Sequence, residues 1–191
     1  SYNSCRNRHC PKCQTMSKEE WLDKRKEELL PCGYFHMVFT VPHELNPLIL
    51  ANRRELLGFL FQAVRNTILA FAADPQWHLE GNPGLLTVLH TWSQTLIDHF
   101  HIHCLIPAGV LSFDGKRWIK SNDTFLFRVE SLAKEFKKQY LCLIKSRLKQ
   151  LNVPENSGIL FDQAGARTWI VYAKKPFAGP EQVLDYLGRY T

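Results

Sequence analysis

The chain has 191 residues, 45% of them hydrophobic and 22% charged, proportions that suit a globular protein with one main core and a small appendage. No stretch approaches the apolar length of a membrane span, and the polar start Ser1-Tyr2-Asn3-Ser4-Cys5-Arg6 carries no apolar signal core, so no export signal is read and a cytoplasmic protein is expected. A net charge of +6 and a pI near 9.0 suit a polyanionic partner, although proteins without such a partner often carry as much charge.

Residues 1–14 are polar, basic and rich in cysteine. Residues 17–30 read as a charged helix whose few apolar positions are Trp21, Leu22, Leu29 and Leu30, ended by Pro31. Tyr34 to Val41 alternates and is rich in aromatic and β-branched residues, which predicts a strand stopping at Pro42. Asn46-Pro47 opens a long apolar-periodic helix ending near Ala73. Leu85–Trp92 and Phe100–Ile106 read as the second and third strands, the latter closed by Pro107-Ala108-Gly109. Asp114-Gly115 is a hairpin signal between Val110–Phe113 and Lys116–Lys120. Arg128–Leu151 reads as an amphipathic helix with Leu132, Phe136, Tyr140, Leu143 and Leu148 near one face. Thr168–Ala173 is a further strand, and Gly179-Pro180 opens a last helix through Tyr190. This order predicts an α+β domain with one mainly antiparallel sheet covered by helices. The missing initial Met and a last helix that runs into Thr191 give the expectation that the chain continues at both ends.

The sharpest chemical signal is His101-Ile102-His103. On a strand, residues two apart share a face, so both imidazoles can reach one cation while Ile102 packs behind them. The bland alternative is two unrelated histidines on a half-buried strand. His90, on the preceding strand, comes alongside if the segment from Gln94 to Asp98 closes a hairpin. Three imidazoles with open positions can hold a divalent cation and leave room for a phosphate oxygen. His99 and Gln94 are rival third ligands.

Tyr186 and Tyr190 are four residues apart, one turn along one face of the last helix. A tyrosine that attacks a phosphodiester stores the bond energy as a phosphotyrosine, so the strand can be rejoined without ATP. The alternative is a packing stripe, although Leu184 and Leu187 can supply those contacts instead. Lys174, Lys175 and Arg189 lie close by in sequence and are candidates for phosphate contact, or else solvated surface charge. Cys5, Cys10 and Cys13 form a C-x4-C-x2-C run. The two-residue gap of Cys10-Pro11-Lys12-Cys13 lets both thiolates turn onto one zinc, and a structural site needs four ligands, to be completed by His9, Cys32 or residues upstream. A redox dithiol is the alternative, without the βαβ context it would need.

The histidine pair followed by Tyr186-x-x-x-Tyr190 resembles the HUH endonuclease superfamily. Leu89-His90-Thr91-Trp92, His99-Phe100-His101-Ile102-His103-Cys104-Leu105, Val171-Tyr172-Ala173-Lys174-Lys175-Pro176-Phe177 and Tyr186-Leu187-Gly188-Arg189-Tyr190-Thr191 resemble the two-tyrosine rolling-circle transposases of the bacterial insertion sequence 91 family. The resemblance covers nearly the whole chain. It implies an HUH-endonuclease-like fold and a transposase that nicks and joins single-stranded DNA at element ends through a 5′-phosphotyrosine. It also implies metal ligation by His101 and His103, with Mg or Mn as the expected cation, and Tyr186 and Tyr190 as nucleophiles. The placement of His90 resembles the third histidine of conjugative relaxases. Tyr2 to Gln14 resembles the second half of the zinc-binding segment of these transposases, whose first cysteines lie upstream. The expected organisation is a zinc-binding segment with a linker helix over 1–32 and a catalytic domain over 33–191. The competing functions are a zinc-dependent DNA-binding or regulatory fragment without catalytic activity, and a metal-dependent hydrolase that uses water. No membrane partner is expected, and no feature sets an oligomeric state.

Overall fold

The computed structural model describes residues 11–92, 97–122, 126–155, 157–174 and 179–188, with the backbone alone described at 11–14, 186 and 187. In chain order the elements are α1 (Pro11–Glu27), β1 (Tyr34–Thr40), α2 (Asn46–Ala51), α3 (Arg53–Ala73), β2 (Gly81–Pro83), β3 (Leu86–Trp92), β4 (Asp98–Pro107), β5 (Gly109–Ser112), β6 (Trp118–Lys120), α4 (Val129–Arg147), α5 (Ser157–Ala166), β7 (Ile170–Lys174) and α6 (Pro180–Leu187). The α+β class holds, and among the described residues every strand pairing is antiparallel.

Among the described residues the strands form two sheets rather than the one expected: a four-stranded sheet ordered β3-β4-β1-β7 and a three-stranded sheet ordered β2-β5-β6. The chain leaves the first sheet for the second at Pro107-Ala108-Gly109, where the Ala108 N–H donates to the Gly33 carbonyl at 2.7 Å. A side chain at position 109 would put its Cβ 2.6 Å from the Ile119 carbonyl oxygen and 2.7 Å from the Trp118 ring, so only glycine allows β5 and β6 this close.

Side chains of the larger sheet alternate between two environments. Phe35, Met37, Phe39, Phe100, Ile102, Cys104 and Ile106 join the main core with Leu56, Leu60, Val64 and Ile68 of α3 and Leu132, Phe136 and Tyr140 of α4. The other face carries the histidines at one end. At its opposite end a small cluster forms from Leu22 of α1, Tyr34, Leu105 and Leu184 of α6.

Several elements differ from the sequence reading. α1 is described from Pro11 onward rather than from near residue 17, and it ends at Glu27. The long helix from Asn46 is broken at Asn52, whose backbone leaves the helical region (φ −139°, ψ 45°). Its Nδ2 donates to the carbonyls of Leu48 (3.0 Å) and Asn152 (2.7 Å), and its Oδ1 accepts the Asn152 N–H (2.7 Å). A buried amide that competes for backbone partners in this way ends one helix and starts another. Leu148 is 43% exposed rather than on the buried stripe, because α4 passes into a 3-10 turn at Leu148–Gln150. Two elements escaped the sequence reading: β2 is only three residues long, and α5 has its pattern diluted by Gly158 and Gly165.

The expectation about membrane spans also needs correction. α3 is long and apolar enough to cross a membrane by length and composition alone. Here it is a core helix, with Leu56, Leu60, Ala63, Val64, Thr67, Ile68 and Ala72 buried in the fold.

Candidate metal centre

Strand register brings the histidines together. His90 of β3 is the direct partner of His101 of β4, and His103 lies one step along the same face, paired with Val88. Ile102 between them is fully buried in the core behind, as parity requires. One ring nitrogen from each of His90, His101 and His103 lies within 4.8 Å of the others. Ring centroids are 4.2 Å apart for His90–His103, 5.0 Å for His101–His103 and 5.1 Å for His90–His101. The strand pairing expected to bring His90 alongside His101 is therefore present between β3 and β4, and among the described residues the cluster consists of three imidazoles.

Burial decides the charge state of these rings. His90 and His103 are each 5% exposed. Burial, reinforced by the neighbouring imidazoles, pulls His90 down to about 4 and His103 to about 3. His101 is lowered as well, chiefly by burial. At neutral pH all three are neutral, the state that leaves a nitrogen lone pair for a cation.

The surrounding hydrogen bonds orient the rings. His101 Nδ1 donates to the backbone carbonyl of His99 at 2.8 Å, which leaves Nε2 as the nitrogen that could reach a cation. The role of His99 among the described contacts is thus to supply a carbonyl, although its ring also lies 4.9 Å from that of His101. His103 Nδ1 is 2.8 Å from Nε2 of His36 on β1. Sequence reasoning missed His36. Its parity on β1 is right for the histidine face, but the partner strand lies far along the chain and the register is invisible until the sheet is assembled.

Continuing across the sheet, Val38 pairs with His103 and Tyr172, while His36 pairs with Leu105 and Lys174. Lys174 is therefore exposed on the histidine face, and Tyr172 beside it is 52% exposed. α6 packs on this face too, because its Leu184 is buried with Tyr34 and Leu105. A salt bridge from Lys26 to Asp185 (2.9 Å) ties α6 to α1.

Tyr186 lies on the backbone of α6, with its side chain outside the description. Tyr190, Arg189, Lys175, Cys5, Cys10 and Gln94 lie outside the described residues, and Cys13 is described by its backbone alone, in the first turn of α1. Cys32 is partly buried beside Tyr34, with burial raising its thiol.

Two family models match the chain: one described as Putative transposase over residues 84–191, and one described as Transposase zinc-binding domain over residues 1–41. The chain is 41% identical over 202 residues to the Sinorhizobium fredii protein named Putative transposase y4qJ, covering 100% of this chain and 50% of that one. It is 28% identical over 200 residues to the transposase for insertion sequence element IS801 of Pseudomonas savastanoi pv. phaseolicola, covering 98% of this chain and 46% of that one. The chain thus spans about half the length of the curated relatives it matches. A solved structure of the conjugative relaxase TrwC in complex with oriT DNA, copper-bound, is 14% identical with a TM-score of 0.40, covering 62% of this chain and 43% of that one.

Proposed function

The chain belongs to the insertion sequence 91 family of transposases, and from there we propose that it nicks and rejoins single-stranded DNA at element ends by tyrosine transesterification at the histidine centre. The observation that carries this reading is the convergence of His90, His101 and His103 on the sheet face that α6 packs against.

In the proposed reaction the phenolate oxygen of Tyr186 or Tyr190 attacks the scissile phosphorus. The P–O3′ bond breaks, the 3′-oxygen leaves and takes up a proton, and the 5′-phosphate stays esterified to the tyrosine. Attack of a 3′-hydroxyl on that ester reverses the step without ATP. A tyrosine hydroxyl, with a pKa near 10, is a weak nucleophile at neutral pH. A divalent cation held by His90, His101 and His103 would favour the phenolate and withdraw charge from a phosphate oxygen. The donor set fits such a cation: neutral nitrogen ligands, oriented from outside, with open positions. Imidazole ligands suit a transition-metal cation better than magnesium, which prefers oxygen ligands; manganese serves as the transition-metal probe in the tests below. Lys174 on the same face, with Lys175 and Arg189, is assigned to the DNA backbone. Cys5, Cys10 and Cys13 are assigned to a zinc, and residues 33–191 to the catalytic domain.

The test is incubation with single-stranded DNA carrying an element end, with manganese or with chelator, followed by a denaturing gel. The expected result is a denaturant-resistant protein–DNA adduct that needs the cation and disappears in Tyr186→Phe/Tyr190→Phe, with DNA binding retained. Binding without any adduct would instead favour a DNA-binding fragment, and nicking by the double variant would make water the nucleophile.

A further inference from the structure

We infer that His36 is a positioning residue of this centre: its Nε2 accepts the Nδ1–H of His103 and so holds His103 in the tautomer that presents Nε2 to a cation. The inference rests on the reading of His90, His101 and His103 as ligands.

The geometry comes from β1 and β4. His36 pairs with Leu105, and His103 pairs with Val38, so the two histidines are diagonal neighbours on one face. Their nitrogens are 2.8 Å apart. The ring centroids are 5.1 Å apart and the planes differ by only 10°. With nitrogens that close and centroids that far, the rings meet edge to edge in nearly one plane and are not stacked face on face. The lone pair of one nitrogen therefore lies along the N–H of the other, as a strong hydrogen bond requires.

A neutral imidazole has one N–H and one acceptor nitrogen, which leaves two arrangements. If His36 donates, His103 accepts at Nδ1 and must carry its proton on Nε2, where it blocks a cation. If His103 donates from Nδ1, its Nε2 lone pair is available and His36 keeps its own proton on Nδ1. Only the second arrangement is compatible with ligation. His101 faces no such choice, because its Nδ1 partner is a carbonyl, which can only accept. The tautomer of His103, unlike that of His101, thus depends on a side chain that can be replaced.

The test uses two readouts on the same chain. Long-range nitrogen–proton NMR of the metal-free protein reports which nitrogen of His103 carries the proton, and calorimetric titration with manganese chloride reports affinity. The expected wild-type spectrum shows His103 protonated at Nδ1. His36→Phe keeps a ring but removes the acceptor, so His103 should become a mixture of tautomers and manganese affinity should fall by about 10- to 100-fold, the usual effect of losing an outer partner of a ligating histidine. His36→Gln restores an acceptor oxygen and should recover most of that loss. Wild-type His103 protonated at Nε2 would overturn the inference, and that spectrum needs no variant to fold. So would wild-type affinity in His36→Phe, or equal weakness in both variants at unchanged melting temperature, since the bulk of the ring would then be what matters. A wild-type protein that binds no manganese would sink the metal-centre reading itself, while the spectrum would still decide the direction of the His36–His103 bond.

Discussion

Replacing Leu184 with alanine should release α6, the helix that carries Tyr186, while leaving the histidine centre intact. Leu184 is fully buried against Leu22, Tyr34 and Leu105, with Leu86 and Val183 packed alongside. Truncating a buried leucine to alanine costs about 2–5 kcal/mol. This cluster is small and separate from the main core, so the lower part of that range, about 2–3 kcal/mol, applies. At roughly 1.4 kcal/mol per factor of ten, the ratio of docked to undocked α6 falls about 30- to 150-fold. Little offsets the loss. The Lys26–Asp185 pair is solvent-exposed and screened, and an eight-residue helix has no stability of its own. Gly188 shows how close the docking is, since a Cβ there would meet Leu22 Cδ2 at 2.8 Å. Hydrogen exchange is the direct assay. Amides of residues 181–188 should exchange faster in Leu184→Ala, those of β4 should not change, manganese affinity should hold, and nicking should drop about tenfold or more. Unchanged exchange in α6 would refute the packing argument. Full nicking with α6 undocked would refute the link between this helix and the reaction.

Asn52→Ala should destabilise the protein by about 1–3 kcal/mol, because the Asn152 backbone groups it satisfies would be left unpaired; a melting temperature equal to wild type would contradict this. Tyr172, exposed on the histidine face beside Lys174, is expected to stack on a base, so Tyr172→Ala should weaken binding of single-stranded DNA by about 1–3 kcal/mol; undiminished binding in a filter assay would contradict this. The metal-free protein should also lose stability on acidification. The folded pKa values of His90 and His103, about 4 and about 3, lie below the ordinary 6.5. Between pH 6.5 and about 4 the unfolded chain therefore binds more protons, and stability falls as pH falls. Thermal melts at pH 7.5 and 5 should show a drop that is smaller in His103→Gln, and an equal drop in both would mean that other groups are responsible.

Local periodicity carried most of what sequence reasoning needed. The shared face of His101 and His103 follows from the two-residue repeat of a strand, and His90 could be placed because it lies close to His101 in sequence, on the strand that pairs with β4. The features that were missed depend on distant pairing. His36 meets His103 across 67 residues, and the break at Asn52 depends on Asn152, 100 residues further on. No local pattern encodes either meeting. The split into two sheets falls at Pro107-Ala108-Gly109, where a bend and a turn look the same in sequence. α3 shows the reverse problem: its composition alone would suit a membrane, and only its packing against the sheet and α4 makes it a core helix. The motif strings around Tyr186 and Tyr190 were legible as a family signature, whereas the positions of those side chains are not among the described residues.

Manganese soaked into crystals of the protein, with anomalous scattering collected at its absorption edge, tests the metal centre directly. The expected result is one peak between β3 and β4, bonded to Nε2 of His101, Nε2 of His103 and a ring nitrogen of His90, with positions left open toward α6. A protein that takes up manganese elsewhere, or shows no peak among these three rings at saturating concentration, would contradict it.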